Sequence, residues 1–241
     1  YGNRLFCDRA GDALRHRWGS AKLYRAYFQD YRTFLARPET VAVEISRDAG
    51  GTGTMVHSDL RQFYDRVQPE LLARRLSALA GPNDDPDFYM LVNRLLNWEW
   101  ARKDAREVAS YARQAGLADF SRIALPQGLV AAGFFANVVL LDFDQGLRAA
   151  VSQEIEPGVF VEDVCRYVDD LHIVLRTTQE RSLTGIETLA HSWLQGLLDQ
   201  HAQGLQASAE KTKAATFGGD ERPLVRQSRK MARIQSAISG G

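Results

Sequence analysis

A chain of 241 residues with 45% hydrophobic and 25% charged side chains is long enough to bury a sizeable core, as one large domain or two intimate subdomains. It has no run of about eighteen apolar residues, and Tyr1-Gly2-Asn3-Arg4 lacks the charged-then-apolar layout of a signal peptide, so a cytoplasmic protein with no membrane partner is expected. The formal net charge is zero, which argues against a uniformly basic nucleic-acid binder but leaves local asymmetry open.

Such asymmetry exists at both ends. Arg4, Arg9, Arg15, Arg17, Lys22 and Arg25 crowd the start; Lys211, Lys213, Arg222, Arg226, Arg229, Lys230 and Arg233 crowd the end. Cys7 and Cys165, far apart in sequence and without metal-ligand spacing, are expected to be reduced thiols. The missing initial Met and the terminal Ser239-Gly240-Gly241 suggest a portion of a longer protein, with further domains or chains beyond it.

In chain order, Leu23, Tyr24, Tyr27, Phe28, Tyr31 and Phe34 recur at helical intervals and predict a helix over residues 20–37. Val41 to Ser46 alternates like a strand, residues 48–53 read as a Gly-rich turn, and Thr54 to Asp59 reads as the returning strand. No Gly-Lys-Ser/Thr follows, so the turn is not a phosphate loop. A short helical segment follows Asp59, and Pro69 opens a helix to about Leu79, stopped by Gly81-Pro82-Asn83. The next helix is expected from Asp87 to Gln114, with room for an interruption and Gly116 beyond its end. Its Trp98, Trp100, Lys103 and Arg106 fit an ordinary surface face better than a nucleic-acid face. The Pro126-Gln127-Gly128 segment leads into a strongly apolar helix to about Arg148, and Ser182 to Gln203 predicts another with Ile186, Leu189, Trp193, Leu194 and Leu197 on one face.

Between those helices lies Val164-Cys165-Arg166-Tyr167-Val168-Asp169-Asp170-Leu171-His172-Ile173-Val174-Leu175, two apolar runs flanking adjacent acids, which reads as strand, tight turn, strand. Successive strand side chains point to opposite faces, so neighbouring carboxylates converge only where the backbone bends. Carboxylates held a few ångströms apart repel one another unless a cation neutralises them, and hard oxygen ligands suit Mg²⁺. By itself the Asp-Asp pair reads more readily as a plain hairpin turn exposed to water, and only the rest of the chain argues otherwise.

The pieces form an ordered set: Asp59 at a strand end, Tyr64 five residues on, Pro-Gln-Gly opening a helix, Tyr-x-Asp-Asp at a hairpin, and Glu210-Lys211-Thr212-Lys213 after a Gly-Leu pair. This order resembles the reverse transcriptase family, especially its bacterial branch of retron, group II intron and abortive-infection or defence-associated enzymes. The resemblance spans residues 40–215 and extends loosely over 1–39. It implies an α+β fold: a polymerase palm, an antiparallel sheet with backing helices, plus a largely helical fingers subdomain. On that pattern residues 1–53 are fingers, 54–70 palm, 71–124 a fingers insertion, and 125–241 palm up to the start of a thumb connection.

The implied activity is RNA-directed DNA synthesis in antiphage defence, from dNTPs on an RNA template with a nucleic-acid or protein primer. Asp59, Asp169 and Asp170, with the backbone carbonyl of Leu60, would ligate two Mg²⁺ ions or Mn²⁺ in their place, and Asp59 and Asp169 would bridge both. Tyr64, beside Phe63, would be the aromatic gate that excludes a 2′-hydroxyl. Gln127 and Gly128 would contact the incoming nucleotide, and Lys211, with Lys213 as runner-up, would protonate the leaving pyrophosphate. Leu129 to Phe135 departs from the Ser-Pro usual in retron and intron enzymes, which favours the defence-associated group; no motif assigns the triphosphate-binding basic residues, for which Arg37 and Arg47 are only candidates.

Two other readings compete. Phe217-Gly218-Gly219-Asp220-Glu221-Arg222 contains the Gly-Gly-Asp-Glu of diguanylate cyclases, but it lies far from Asp59 with the Asp-Asp hairpin between, and is read as a surface turn. A palm that only binds nucleic acid is the non-enzymatic alternative. Intact Asp59, Asp169 and Asp170 oppose it, because a buried acid cluster is costly without a cation. Untemplated or protein-primed synthesis by the same site is a further variant.

Overall fold

The computed structural model describes residues 5–7, 27–47, 52–118, 120–122, 124, 125 and 130–216. In order these form β1 (Leu5–Cys7), α1 (Tyr27–Arg47), β2 (Thr52–Asp59), α2 (Phe63–Arg66), α3 (Pro69–Ala78) and α4 (Pro86–Leu96). A 3₁₀ turn (Arg102–Asp104) leads into α5 (Ala105–Ala115), then α6 (Val130–Val139), α7 (Leu141–Ala149), β3 (Glu154–Glu156), β4 (Val159–Tyr167), β5 (Asp170–Thr177), α8 (Leu183–His201) and β6 (Lys213–Thr216). The strands make one sheet in the order β1-β4-β5-β2-β6, with β3 also on β4 and every described pair antiparallel. The expected α+β class holds. No described helix is long and apolar enough to cross a membrane.

Alternation along the strands divides the core into two faces. Leu171, Ile173 and Leu175 of β5 join Val56, Val161 and Val164 in the main core, which also takes Leu71 and Leu72 of α3, Phe143 and Leu147 of α7, and Leu194 and Leu198 of α8. The α7–α8 contact is close enough that a Cβ on Gly146 would stand 3.0 Å from the His201 ring. On the opposite face, α1 lays Phe34 against Cys165 and Tyr167, and Ala42 and Ile45 against Val174.

Several expected elements differ. Residues 41–46 are not a strand; α1 runs unbroken through them with Pro38 inside. The alternation of Val41, Val43 and Ile45 suggested a strand, but the buried positions of the helix are Asp30, Phe34, Pro38, Ala42 and Ile45, a helical spacing that fits a helix seated on the sheet. Proline has no N–H to give the carbonyl four residues back. That carbonyl, of Phe34, meets His172 Nδ1 of β5 at 3.1 Å. A carbonyl only accepts, so Nδ1 carries the proton and the ring stacks flat on Phe34, 4.2 Å between centroids. A sheet histidine thus replaces the helix bond that the proline removes.

The helix expected over 87–114 is two, α4 and α5, with Trp98 and Trp100 in the connection; Trp100 Nε1 donates to the Phe120 carbonyl at 2.8 Å. The apolar helix expected to reach Arg148 is likewise two, meeting at the buried Leu140. Cys7 and Cys165, distant in sequence, are Cα partners across β1 and β4.

Burial holds His172 at a pKa of about 4, below its ordinary 6.5, with nearby His57 adding to the shift. Between those values the unfolded chain binds a proton at this ring that the fold rejects, so its contribution is present above pH 6.5 and lost as the pH falls towards 4. The full effect is on the order of 3 kcal/mol. Asp170 acts in the opposite sense over an overlapping range, so the difference between two proteins is the informative quantity. In chelator, urea unfolding should show wild type losing stability relative to His172→Phe, which keeps the ring stack, on going from pH 7 to pH 4. A constant difference would contradict this assignment.

Candidate active site

The carboxylates meet where β2, the β4–β5 turn and the loop before β6 come together. Asp59 ends β2 and is the cross-strand partner of Asp170, which begins β5. Partners directly across an antiparallel pair share a face, with Cβ atoms about 5 Å apart. Asp169 lies in the β4–β5 turn, immediately before Asp170, and its carbonyl accepts from the Leu60 N–H at 3.0 Å. The Ser208 N–H donates to the Asp59 carbonyl at 2.8 Å, and the Arg61 N–H donates to the Gln206 carbonyl at 2.8 Å. The end of β2 is therefore pinned between two loops.

The second loop brings the lysine. Thr212 donates its hydroxyl to the Ser208 carbonyl at 2.7 Å and lies 2.9 Å from the Ser58 hydroxyl, buried on β2. That tie puts Lys211 Nζ 2.9 Å from Asp59 Oδ1 while most of the lysine stays in solvent. The hydrogen bond to Asp59 raises the Lys211 pKa. Lys213 instead pairs with Glu187 of α8 at 3.5 Å.

Electrostatics at this corner are those of crowded acids. Burial, then Asp169 and Asp59, push the Asp170 carboxyl up to about 7. Burial also raises Asp169, with Asp59 adding to it. His57, also on β2, has Nε2 4.0 Å from Asp170 Oδ1; burial lowers its pKa, and its Nδ1 is buried without a hydrogen-bond partner among the described residues. Among the described residues no three His, Cys, Asp or Glu side chains are drawn into a closed metal-holding group. What is gathered is an anionic corner of hard oxygen donors with one ammonium against it. Carboxyls raised by burial and mutual repulsion are stabilised in their charged form by a small hard dication, so the donor set fits Mg²⁺ or Mn²⁺.

Two strained residues frame the corner. Gln62, which precedes α2, has φ 47°, and Val168, which precedes Asp169 in the turn, has φ 58°. For a β-branched valine this region costs about 1–2 kcal/mol and needs an external hold. Arg166 supplies it. Its guanidinium is 1% exposed, donates twice to Asp144 of α7 at 2.6 and 2.5 Å, to Asn137 of α6 at 3.2 Å, and to the Val168 carbonyl at 2.6 Å. The sequence reading missed this residue. An arginine inside an apolar strand, with an aspartate in an apolar helix to receive it, was the available signal, since buried charges occur paired.

Tyr64 is half-buried on α2, its ring edge-on to Phe63 with centroids 5.2 Å apart. Phe63, grouped with Tyr64 in the expected nucleotide site, is buried in the main core at 2% exposure. α2 is fastened to α5: Tyr111 donates to Asp65 at 2.5 Å, and Arg66 donates to the Ala115 carbonyl at 3.1 Å, next to the left-handed Gly116 that ends the helix. Leu60 has a buried side chain. Arg37 is not free for a triphosphate, because its Nε holds Asp163 of β4 at 2.7 Å and its Nη2 holds the other carboxylate oxygen. Gln127, Gly128 and the Gly-Gly-Asp-Glu segment lie outside the described residues.

A strand-end acid beside an acid-bearing hairpin, on an antiparallel sheet backed by helices, is the arrangement of a polymerase palm. The family model described as reverse transcriptase (RNA-dependent DNA polymerase) matches residues 22–233, and the chain belongs to that family. No curated protein matches it significantly. Among solved structures it is similar to apo telomerase from Candida tropicalis truncated from its C-terminal domain, with 12% identity and a TM-score of 0.43 over 80% of this chain. The chain spans 36% of that protein's length.

The Arg166–Asp144 pair gives a stability test. Asp144→Ala strands a buried guanidinium and should cost about 3–5 kcal/mol in chemical unfolding. The double replacement Asp144→Leu with Arg166→Met should recover most of that loss. A single-variant cost below about 1 kcal/mol would show that the pair is not the buried anchor described.

Proposed function

We propose that this chain is the catalytic fingers-and-palm portion of an RNA-directed DNA polymerase. The observation that carries the reading is the placement of Asp59 directly across from Asp170, with Asp169 on the adjoining turn and Lys211 Nζ on Asp59. Residues 54–70 and 125–241 are assigned to the palm, and 1–53 with 71–124 to the fingers.

Asp59, Asp169 and Asp170, with the Leu60 carbonyl, would hold Mg²⁺ or Mn²⁺, which when bound supplies acidification of a primer 3′-hydroxyl and charge neutralisation on a triphosphate. Lys211 is the proton donor to the departing pyrophosphate: its ammonium is kept charged by Asp59 yet remains accessible from solvent. Tyr64, braced by Phe63 and by the Arg66 and Tyr111 ties to α5, presents a ring too firmly placed to make room for a ribose 2′-hydroxyl. Gln127 and Gly128 complete the nucleotide contact. Template and primer are gripped through phosphates by basic side chains and read by base pairing. The departure at Leu129–Phe135 supports placing the enzyme in the bacterial defence-associated group.

The test is incorporation of labelled dNTPs, and separately NTPs, with Mg²⁺, with and without a primed RNA template. Template-dependent dNTP incorporation is expected, and Asp59→Asn and Asp169→Asn should each bring it below detection. Incorporation that needs no template would replace copying with untemplated or protein-primed synthesis by the same site. Failure to incorporate under any condition while nucleic acid still binds would favour a palm that only binds. Tyr64→Ala should keep dNTP incorporation and raise relative NTP use by roughly 10–100-fold; unchanged selectivity would remove Tyr64 from the gate.

A further inference from the structure

α4 is covered on one side only. Val92 and Leu96 are buried, whereas Phe88, Leu91 and Leu95 remain 47%, 55% and 65% exposed. At about 100° per residue these three share one stripe, which borders the side that buries Val92 and Leu96. A contiguous apolar stripe of this kind marks a contact surface.

The charges around the stripe narrow the partner. Asp84, Asp85 and Asp87 gather at the N-terminal end, which opposes a phosphate backbone or an anionic lipid surface, and Arg94 lies near the C-terminal end. Asp84 is engaged by Gly81 and Tyr89, and Asp85 caps the helix through the Asp87 N–H. The Asp87 carboxylate and the Arg94 guanidinium are both exposed and have no ion-pair partner among the described residues.

The spacing is self-complementary about Leu91. Phe88 lies three residues before it and Leu95 four after; Asp87 lies four before and Arg94 three after. We infer that α4 is a self-association surface that takes a second copy of the chain, with the two helices antiparallel and crossing at Leu91. Leu91 then meets Leu91 of the partner subunit, Phe88 meets Leu95 of the partner subunit, and Asp87 meets Arg94 of the partner subunit. The two-fold axis makes each of the latter contacts twice, as an isologous interface requires. A single helix pair is a small interface, in the size class of weak and transient contacts below roughly 1,200 Å².

Sedimentation velocity of the full 241-residue chain, from about 1 to 100 micromolar, tests this. Wild type should shift from monomer to dimer across the series. Leu91→Lys should remain monomeric, its dissociation constant raised more than tenfold, with circular dichroism confirming the fold. Asp87→Arg and Arg94→Asp should each weaken the dimer, and the double reversal should restore it. That rescue belongs to self-pairing alone. A monomer at every concentration, as expected if another protein or domain covers the stripe, would overturn the inference. So would a dimer indifferent to Leu91→Lys, or a double reversal that fails to restore association.

Discussion

Carboxylates held together at one corner of a sheet repel one another, and much of the local structure offsets that repulsion. Asp59 and Asp170 are direct cross-strand partners, a placement that is unfavourable for like charges. It persists because each is fixed from outside the pair. Asp59 is held through its backbone by the Ser208 loop and through its side chain by Lys211. The Asp169 turn is held by the Leu60 N–H and, at Val168, by a buried arginine. An anionic corner assembled at this cost stays open to a cation, which is the physical link between the fold and the proposed chemistry.

The same clamp joins the turn to the rest of the palm. Arg166 reaches α6 through Asn137 and α7 through Asp144, and α6 follows directly on the Pro-Gln-Gly segment. On the other face, α1 seats against β5 through the Phe34–His172 stack and against β4 through Arg37 and Asp163. The hairpin that carries the acids is thus gripped from both sides of the sheet, and neither grip uses the carboxylates themselves.

Much of this was legible in the sequence, and the exceptions have identifiable causes. The β4–β5 hairpin, α3 and α8 follow from apolar runs, a helix-opening Pro69 and a capping Ser182, because each signal is local. The convergence of Asp59, Asp169, Asp170 and Lys211 was suggested by their order and is visible in the geometry. Residues 41–46 misled because their alternation mimics a strand, and the histidine that accommodates Pro38 lies more than a hundred residues away. Arg37 looked available because Asp163, its partner, is equally distant in sequence. Phe63 is buried in the core while its neighbour Tyr64 is half-buried, a difference that adjacency in sequence does not reveal. Long-range polar pairs leave little trace in local pattern, and Arg166 was missed for that reason.

The central claim is that Asp59, Asp169 and Asp170 form one cation-binding corner. Titration of the protein with Mn²⁺, followed by electron paramagnetic resonance of the free ion, tests it without depending on template, primer or turnover. Saturable binding that is strongly weakened in both Asp59→Asn and Asp169→Asn, and competed by Mg²⁺, is the predicted result. Mn²⁺ binding of equal strength in wild type and both variants would contradict the account, as would no saturable binding at all.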